Sequence, residues 1–377
     1  YHSVLKSMRL SSGELWPIPV VLDIEKILAK VGEEIILCDK FGNPVSFFTI
    51  ESLYKPDKIV EAKRIYGTTD LLHPGVHHLF KETGSTYVGG SVQVISLPTH
   101  YDFKELRHTP AELKKLFAKR GFEKIAAFQT RNPIHRAHFE LMKRANIEHH
   151  AHILIHPVVG VTKEGDIDYI TRVNSYKKIH QLYMQEFATL SLLPLAMRMA
   201  GPREALWHAL IRKNYGVTHF IIGRDHAGPG NNASGKPFYD PYAAQELAQA
   251  FADEMGITII PQQEMLYVEE RRKYLPRNEI NKSHTPRSIS GTLFRHKLRA
   301  NEEIPKWFSF PEVIAELRKG VERNRGGLTL FFTGLSAAGK STIAHVLYTK
   351  LLELEQRKIT FLDGDIVRNH LSKGLGF

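Results

Sequence analysis

The sequence predicts an α/β protein: a doubly wound, mostly parallel sheet, with a β-rich module before it and the opening of a phosphate-binding strand–loop–helix unit behind it. Three observations predict this. Short apolar runs at Lys124–Phe128, His152–His156 and His219–Ile222 have the character of buried parallel strands. Helical patterns at Val173–Gln185, Pro202–Lys213 and Pro241–Met255 lie between and after them, an alternation that covers a sheet on both faces. Loops carrying glycine, arginine and histidine stand where strands end, and that is where such sheets bind ligands.

Size and composition set the frame. At 377 residues the chain is too long for one ordinary core and predicts a multidomain enzyme. Hydrophobic residues at 42% and charged residues at 24% fall in the globular range, and no unbroken apolar stretch is long enough to span a membrane. Cys38 is the only cysteine, which excludes an internal disulfide framework and a cysteine-rich zinc site and agrees with a cytoplasmic setting. The net charge of +11 is spread along the chain with no aromatic-interleaved basic run, so small anionic substrates are expected rather than nucleic acid or membrane. The first residue is Tyr1, and targeting is not read from that end.

Residues 1–110 form the β-rich module, with strands expected at Pro17–Leu22, Glu34–Leu37, Val45–Ile50 and Val92–Ile95 and a turn at Phe41–Pro44. At Thr109-Pro110-Ala111-Glu112 an N-cap, a first-turn proline and an acidic residue open a helix that runs to about Lys119 and ends at Gly121. The catalytic domain is placed at 111–265, a smaller subdomain and linker at 266–325, and a new unit from 326 to 377. The last boundary is the polar stretch Asn324–Gly327, ahead of an apolar strand Leu328–Phe332.

Three constellations carry chemistry. Gln129-Thr130-Arg131-Asn132-Pro133-Ile134-His135-Arg136-Ala137-His138 follows the strand ending at Phe128. Pro133 suits a helix start, whose free N–H groups attract anions, and His135 and His138 are spaced to share a helical face and donate to phosphate oxygens. Arg131 and Gln129 offer a charged fork and a neutral amide to a tetrahedral oxyanion. His-x-x-His alone also suits surface histidines, satisfied core groups or two metal ligands; zinc is disfavoured because no cysteine or close carboxylate completes a set. Gly223-Arg224-Asp225-His226-Ala227-Gly228-Pro229-Gly230 follows the strand ending at Ile222, with Arg224 and His226 as phosphate donors and Asp225 to orient one of them; an ordinary glycine-rich turn is the alternative. Ser290 or Thr292 caps a helix that carries Arg295, a pattern that suits triphosphate oxygens and an ordinary cap equally.

A further nucleotide site is Gly334-Leu-Ser-Ala-Ala-Gly339-Lys340-Ser341, a full P-loop pattern before the helical run Thr342–Leu352. Its backbone would wrap phosphates, Lys340 would reach the β and γ oxygens and Ser341 would help hold Mg²⁺. Lys358–Leu362 reads as another strand, running into Asp363-Gly364-Asp365.

Gln129–His138, Met197–His208, Gly223–Gly230 and Ile289–Arg295 together resemble ATP sulfurylases, and the resemblance extends over most of residues 1–325. It implies a Rossmann-like nucleotidyltransferase domain preceded by a PUA-like domain. It also implies that Gln129, Arg131 and the backbone of Ala227 bind sulfate, and that Thr130, Asn132, His135 and His138 hold or polarise the ATP phosphates. Gly223, Arg224, Asp225 and His226 would contact the nucleotide, with Met265 beside adenine. The expected reaction joins sulfate to the α-phosphorus of ATP, giving adenosine 5′-phosphosulfate and pyrophosphate, with Mg²⁺ accompanying ATP, no protein-held metal and a homo-oligomeric enzyme. A different acceptor on the same sheet is the rival. The tail, including Leu371–Phe377, is similar to the beginning of adenylyl sulfate kinases, a partial P-loop kinase domain that implies a bifunctional parent.

Overall fold

A computed structural model describes the chain except residues 25–29, 40, 41, 161–165, 324–326, 357, 365, 366 and 368–377. The start of the turn expected at Phe41, the linker and boundary at 324–326, Asp365 and the run Leu371–Phe377 lie outside the described residues.

The first part is β-rich but mixed. A short helix α1 (His2–Ser7) precedes strands β1 (Leu22–Ile24), β2 (Glu34–Cys38) and β3 (Pro44–Tyr54); helices α2 (Lys58–Ile65) and α3 (Pro74–Lys81) then lead into β4 (Thr86–Val94). The antiparallel sheet has the order β1-β4-β3-β2, with a register shift between Ile50 and Ser52. The strand expected at Pro17–Leu22 instead begins at Leu22, because its pairing register runs from Leu22 opposite Val88 to Ile24 opposite Thr86. The helices were not expected. Asp57 caps α2 by accepting from Ile59 and Val60, and His73 does the same for α3 through Gly75 and Val76.

The central sheet is fully parallel, in the order β7-β6-β5-β8-β9: β5 (Ile125–Phe128), β6 (His152–Ile155), β7 (Ala188–Leu190), β8 (His219–Ile222) and β9 (Thr258–Pro261). Strands β5, β6 and β8 stand where the apolar runs place them, and β7 and β9 extend the sheet at both edges. Helix α4 (Pro110–Lys119) opens at the expected cap and proline, and the structure adds a reciprocal box in which Thr109 and Glu112 cap each other's backbone N–H groups. Helices α5 (Arg136–His149) and α6 (Tyr169–Ile179) pack one apolar cluster against the sheet; α7 (Gly201–Asn214), α8 (Ala243–Ala250) and α9 (Ala252–Met255) pack the other with α4. Buried leucine, isoleucine and phenylalanine on both faces each contribute roughly 1.5–3 kcal/mol, which explains why these strands are mainly apolar. The helix expected over Val173–Gln185 starts four residues earlier, at Tyr169, where Asp168 caps it, and passes into a wider π-turn at His180–Met184.

A second small sheet, β11-β10-β12, comprises β10 (Met265–Val268), β11 (Lys273–Pro276) and β12 (Pro286–Arg287). Helices α10 (Gly291–Arg299) and α11 (Pro311–Arg323) follow, with Ser290 capping α10 by accepting from Leu293. The tail forms helix α12 (Lys340–Glu353), but residues 328–332 and 358–362 form no strand. A parallel strand needs a neighbour for its N–H and C=O groups, and the described residues provide none there, so Leu328 and Phe331 stay 77% and 88% exposed. Among the described residues no helix is long and apolar enough to cross a membrane.

Candidate active site

Strand order reverses at β5: the chain builds outward through β6 and β7, then crosses back to lay β8 on the other side of β5. A crevice opens at the carboxyl ends of β5 and β8, the position at which such sheets take ligands. The loop after β5 carries Gln129–His138 and the loop after β8 carries Gly223–Gly230, so two constellations separated by about ninety residues in sequence become neighbours. Arg131 joins them directly, its Nη2 lying 3.4 Å from the carbonyl oxygen of Gly228.

The loop after β5 is held from beneath. Fully buried Arg172 on α6 donates to the carbonyls of Arg131 (3.0 Å) and Val158 (3.3 Å), and Tyr176 Oη donates to the carbonyl of Asn132 at 2.7 Å. Thr130 is buried and internal to the loop: its Oγ1 donates to the Asn132 carbonyl at 3.0 Å and accepts from the Asn132 N–H at 3.0 Å. The Asn132 side chain faces outward. Gln129 Oε1 accepts from the guanidinium of Arg212, leaving the amide nitrogen, 3.6 Å from Met197 Sδ, as its donor. Arg131 is engaged as well, donating from Nη1 to both oxygens of Asp166 at 2.9 and 2.7 Å.

His135 and His138 do not share a helical face. His135 is the N-cap of α5, with extended backbone, and Pro133 lies ahead of that cap rather than at the first helical position. The His135 N–H donates to Nδ1 of His138 at 3.1 Å, so His138 takes over a backbone group that a helix start leaves unsatisfied. The His135 ring is buried between Phe294 and Phe308, with centroids at 4.7 and 4.6 Å, and its Nδ1 meets Ser309 Oγ at 2.9 Å. Burial, reinforced by His138, holds His135 well below the ordinary histidine range, and burial pushes His138 down to about 4. Both rings are neutral. Because Nδ1 of His138 accepts, its ring proton sits on Nε2, the nitrogen left for a ligand.

In the loop after β8, Asp225 and Ala227 both adopt left-handed backbone, φ 55°. The turn is pinned by Asp225 N–H to the Pro241 carbonyl at 2.7 Å and by Gly201 N–H to the Ala227 carbonyl at 3.2 Å. A Cβ at Gly228 would meet the Asp225 carboxylate, which would have to swing aside. Gly223 sits at the strand end; Arg224 is exposed, 3.9 Å from Glu264. The expectation that His226 donates freely to phosphate needs correction: its Nε2 meets His208 Nδ1 at 3.0 Å. Met265 opens β10, half-buried beside the cluster that includes α5, which brings it to the same side as His138.

The residues that sequence reasoning assigned no role are the supports: Arg172, Tyr176, Glu204, His208 and Arg212. Glu204, His208 and Arg212 carry one available signal, charged and polar residues repeating every four positions on a helix that is otherwise apolar toward the sheet. In the tail, Lys340 Nζ donates to the carbonyls of Gly334 and Leu335 at 2.9 and 2.6 Å, Gly334 and Gly339 have positive φ, and Ser341 lies in the first turn of α12. Among the described residues no group of three or more His, Cys, Asp or Glu is placed to hold a metal ion.

Comparison with known proteins identifies the family. The ATP-sulfurylase family matches residues 104–320, the PUA-like domain residues 1–97 and the adenylylsulphate kinase family residues 326–377. A protein named sulfate adenylyltransferase from Mycosarcoma maydis is 48% identical over 384 residues, covering 100% of this chain and 67% of the relative. Its namesake in Schizosaccharomyces pombe is 47% identical over 369 residues, covering 96% of this chain and 74% of the relative. A solved structure, named as a hexameric APS kinase from Thiobacillus denitrificans, superposes with a TM-score of 0.68 at 34% identity, covering 99% of this chain and 68% of that one. With the crevice at β5 and β8 and these matches in hand, the chain belongs to the ATP-sulfurylase family.

Proposed function

We propose that this chain is a sulfate adenylyltransferase: ATP and sulfate give adenosine 5′-phosphosulfate and pyrophosphate, reversibly, by direct attack of a sulfate oxygen on the α-phosphorus. The single observation that carries the reading is the meeting of Arg131 with the Ala227–Gly228 turn, which places a guanidinium and two strand-end loops around one crevice. One oxygen–phosphorus bond forms as the bond to pyrophosphate breaks. Sulfate has no proton to lose near neutral pH, so the step needs alignment and charge stabilisation rather than a base. In this proposal Arg131 and the Gln129 amide seat sulfate against the Ala227 backbone. His138, donating from Nε2, meets charge on the triphosphate, and His135 fixes the entrance of α5. Thr130 and Asn132 shape the loop that faces the α-phosphoryl group; Gly223–His226 and Met265 border the nucleotide. Mg²⁺ enters as part of the ATP substrate.

The finer statements belong to the same proposal. The proposed division is 1–110, 111–265, 266–325 and 326–377, which the three sheets and the tail support. The tail is the start of an adenylyl sulfate kinase domain in a bifunctional parent, and removal of the sulfonucleotide by a kinase would draw an unfavourable reaction forward. A homo-oligomer and a cytoplasmic setting complete it, the first supported by the hexameric relative. Light scattering on the purified chain tests assembly. Pyrophosphate exchange with a panel of acceptors tests the function: exchange should depend on sulfate, and dependence on a sugar or vitamin phosphate instead would reject it.

A further inference from the structure

Helix α7 carries Glu204, His208 and Arg212 four residues apart, and none of the three has exposed surface. Ionised groups removed from water cost several kcal/mol each unless bonded, so such a stripe persists only where each member is satisfied. Glu204 accepts from the N–H groups of Arg198 (2.8 Å) and Ala200 (3.0 Å), and its Oε1 lies 3.4 Å from Nε2 of His208. Apart from that contact, His208 Nε2 has no hydrogen-bond partner among the described residues. At its other nitrogen, Nδ1, His208 meets Nε2 of His226 at 3.0 Å. Arg212 donates from Nη1 to the His208 carbonyl at 3.2 Å and from Nη2 to the His156 carbonyl at 3.0 Å, and it also holds Gln129. One helix face thus supports both loops of the crevice.

The direction of each proton follows from donor and acceptor chemistry. A carboxylate only accepts, so the ring nitrogen facing Glu204 carries the proton of His208. A neutral imidazole has one N–H, which leaves His208 Nδ1 bare and able only to accept. The 3.0 Å contact is therefore donated by His226. Burial would raise the Glu204 carboxyl, but His208 and the two backbone N–H groups outweigh it and hold Glu204 below its ordinary value. Burial keeps His208 below its own, against the pull of Glu204.

We propose that Glu204 and His208 are positioning residues that fix the ring proton of His226 on Nε2, so that the second nitrogen of His226 accepts a hydrogen bond, from a hydroxyl or amino group of the nucleotide, and gives none to a phosphate. The proton assignment is a property of the free protein; only its consequence for nucleotide binding rests on the adenylyl-transfer reading. Two-bond ¹H–¹⁵N spectra of the full histidine-labelled chain test the assignment. His226 is identified by the cross-peak lost in His226→Asn and by its proximity to the Phe220 ring, centroids 5.5 Å apart. The expected ring is neutral and protonated at Nε2; a proton at Nδ1, or on both nitrogens, overturns the proposal. In a second arm, ATP binding is measured by calorimetry, independently of turnover. His208→Gln, whose amide can give to Glu204 and accept from His226, should bind ATP within about threefold of the parent, and His208→Leu about tenfold more weakly. Equal ATP affinity in two folded variants with similar Tm overturns the proposal. Should the leucine variant fail to fold, the spectra of the parent chain decide alone.

Discussion

Arg131 donates from one guanidinium nitrogen to both carboxylate oxygens of Asp166, at 2.9 and 2.7 Å, with the two side chains 16% and 7% exposed. The cation proposed to seat sulfate is thus already paired with an anion of the protein, and sulfate has to compete for it. Asp166→Asn should lower the sulfate KM by about threefold to tenfold while leaving the ATP KM in place. It should also reduce Tm, because a mostly buried guanidinium loses its counter-charge. Initial rates at saturating ATP and a thermal melt check both; a raised sulfate KM would mean that Asp166 orients Arg131 rather than rivals its ligand.

Gln129 tests the neutral half of the same seat. Its Oε1 is committed to Arg212, so the amide nitrogen is what it can offer an anion. Gln129→Glu keeps the Arg212 contact but replaces that donor with negative charge, and sulfate-dependent turnover should fall by about a hundredfold or more with little change in Tm. Turnover within a few-fold of the parent would remove Gln129 from the sulfate site.

The two histidines of the α5 entrance should separate. His135→Ala leaves a void between Phe294 and Phe308 and strips Ser309 of its partner, so it should cost roughly 2–4 kcal/mol of stability as well as activity. His138→Ala loses the acceptor for one backbone N–H, about 0.5–2 kcal/mol, while removing the Nε2 donor, and should lower kcat by about a hundredfold. Denaturant melts read beside kcat distinguish them: a His138→Ala variant with full turnover would rule out its phosphate role.

Acid should destabilise the fold before carboxylates titrate. Burial pushes His73, His138 and His152 each down to about 4, so the folded chain resists protons that the unfolded chain takes up near pH 6.5. These groups support the fold fully above about pH 6.5, and that support is lost progressively as pH falls toward 4. Tm measured between about pH 7.5 and 5 should drop, and His73→Gln should flatten the slope. An unchanged Tm across that range would contradict neutral burial of these rings.

Much of the fold was legible because local and global signals agree. At Thr109–Glu112 the capping residues and the apolar period of α4 point the same way, and β5, β6 and β8 are apolar on both faces because both faces are covered. Strand β7 at one sheet edge is only three residues long, and β9 at the other buries only its two central residues, Ile259 and Ile260, so neither offers an apolar run like that of β5. Helices α2 and α3 hide in a segment whose caps, Asp57 and His73, also suit turns. Within the site, residue types at the two strand ends pointed to the crevice, but not to what each side chain already holds. Sequence spacing put His135 and His138 on one face; the structure makes the first a cap and the second its acceptor. Nor does a linear pattern disclose that Arg131 pairs with Asp166 or His226 with His208, since those partners come from other elements.

The left-handed backbone of Asp225 and Ala227 ties the strand-end loop to its neighbours. Two non-glycine residues in that region disfavour the loop in isolation by about 1–3 kcal/mol each, so its shape is imposed by the Pro241 carbonyl and the Gly201 N–H. Those anchors exist only after α7 and the segment ahead of α8 have docked. The loop keeps this shape only while α7 and the segment ahead of α8 stay docked, and local opening of either would release it.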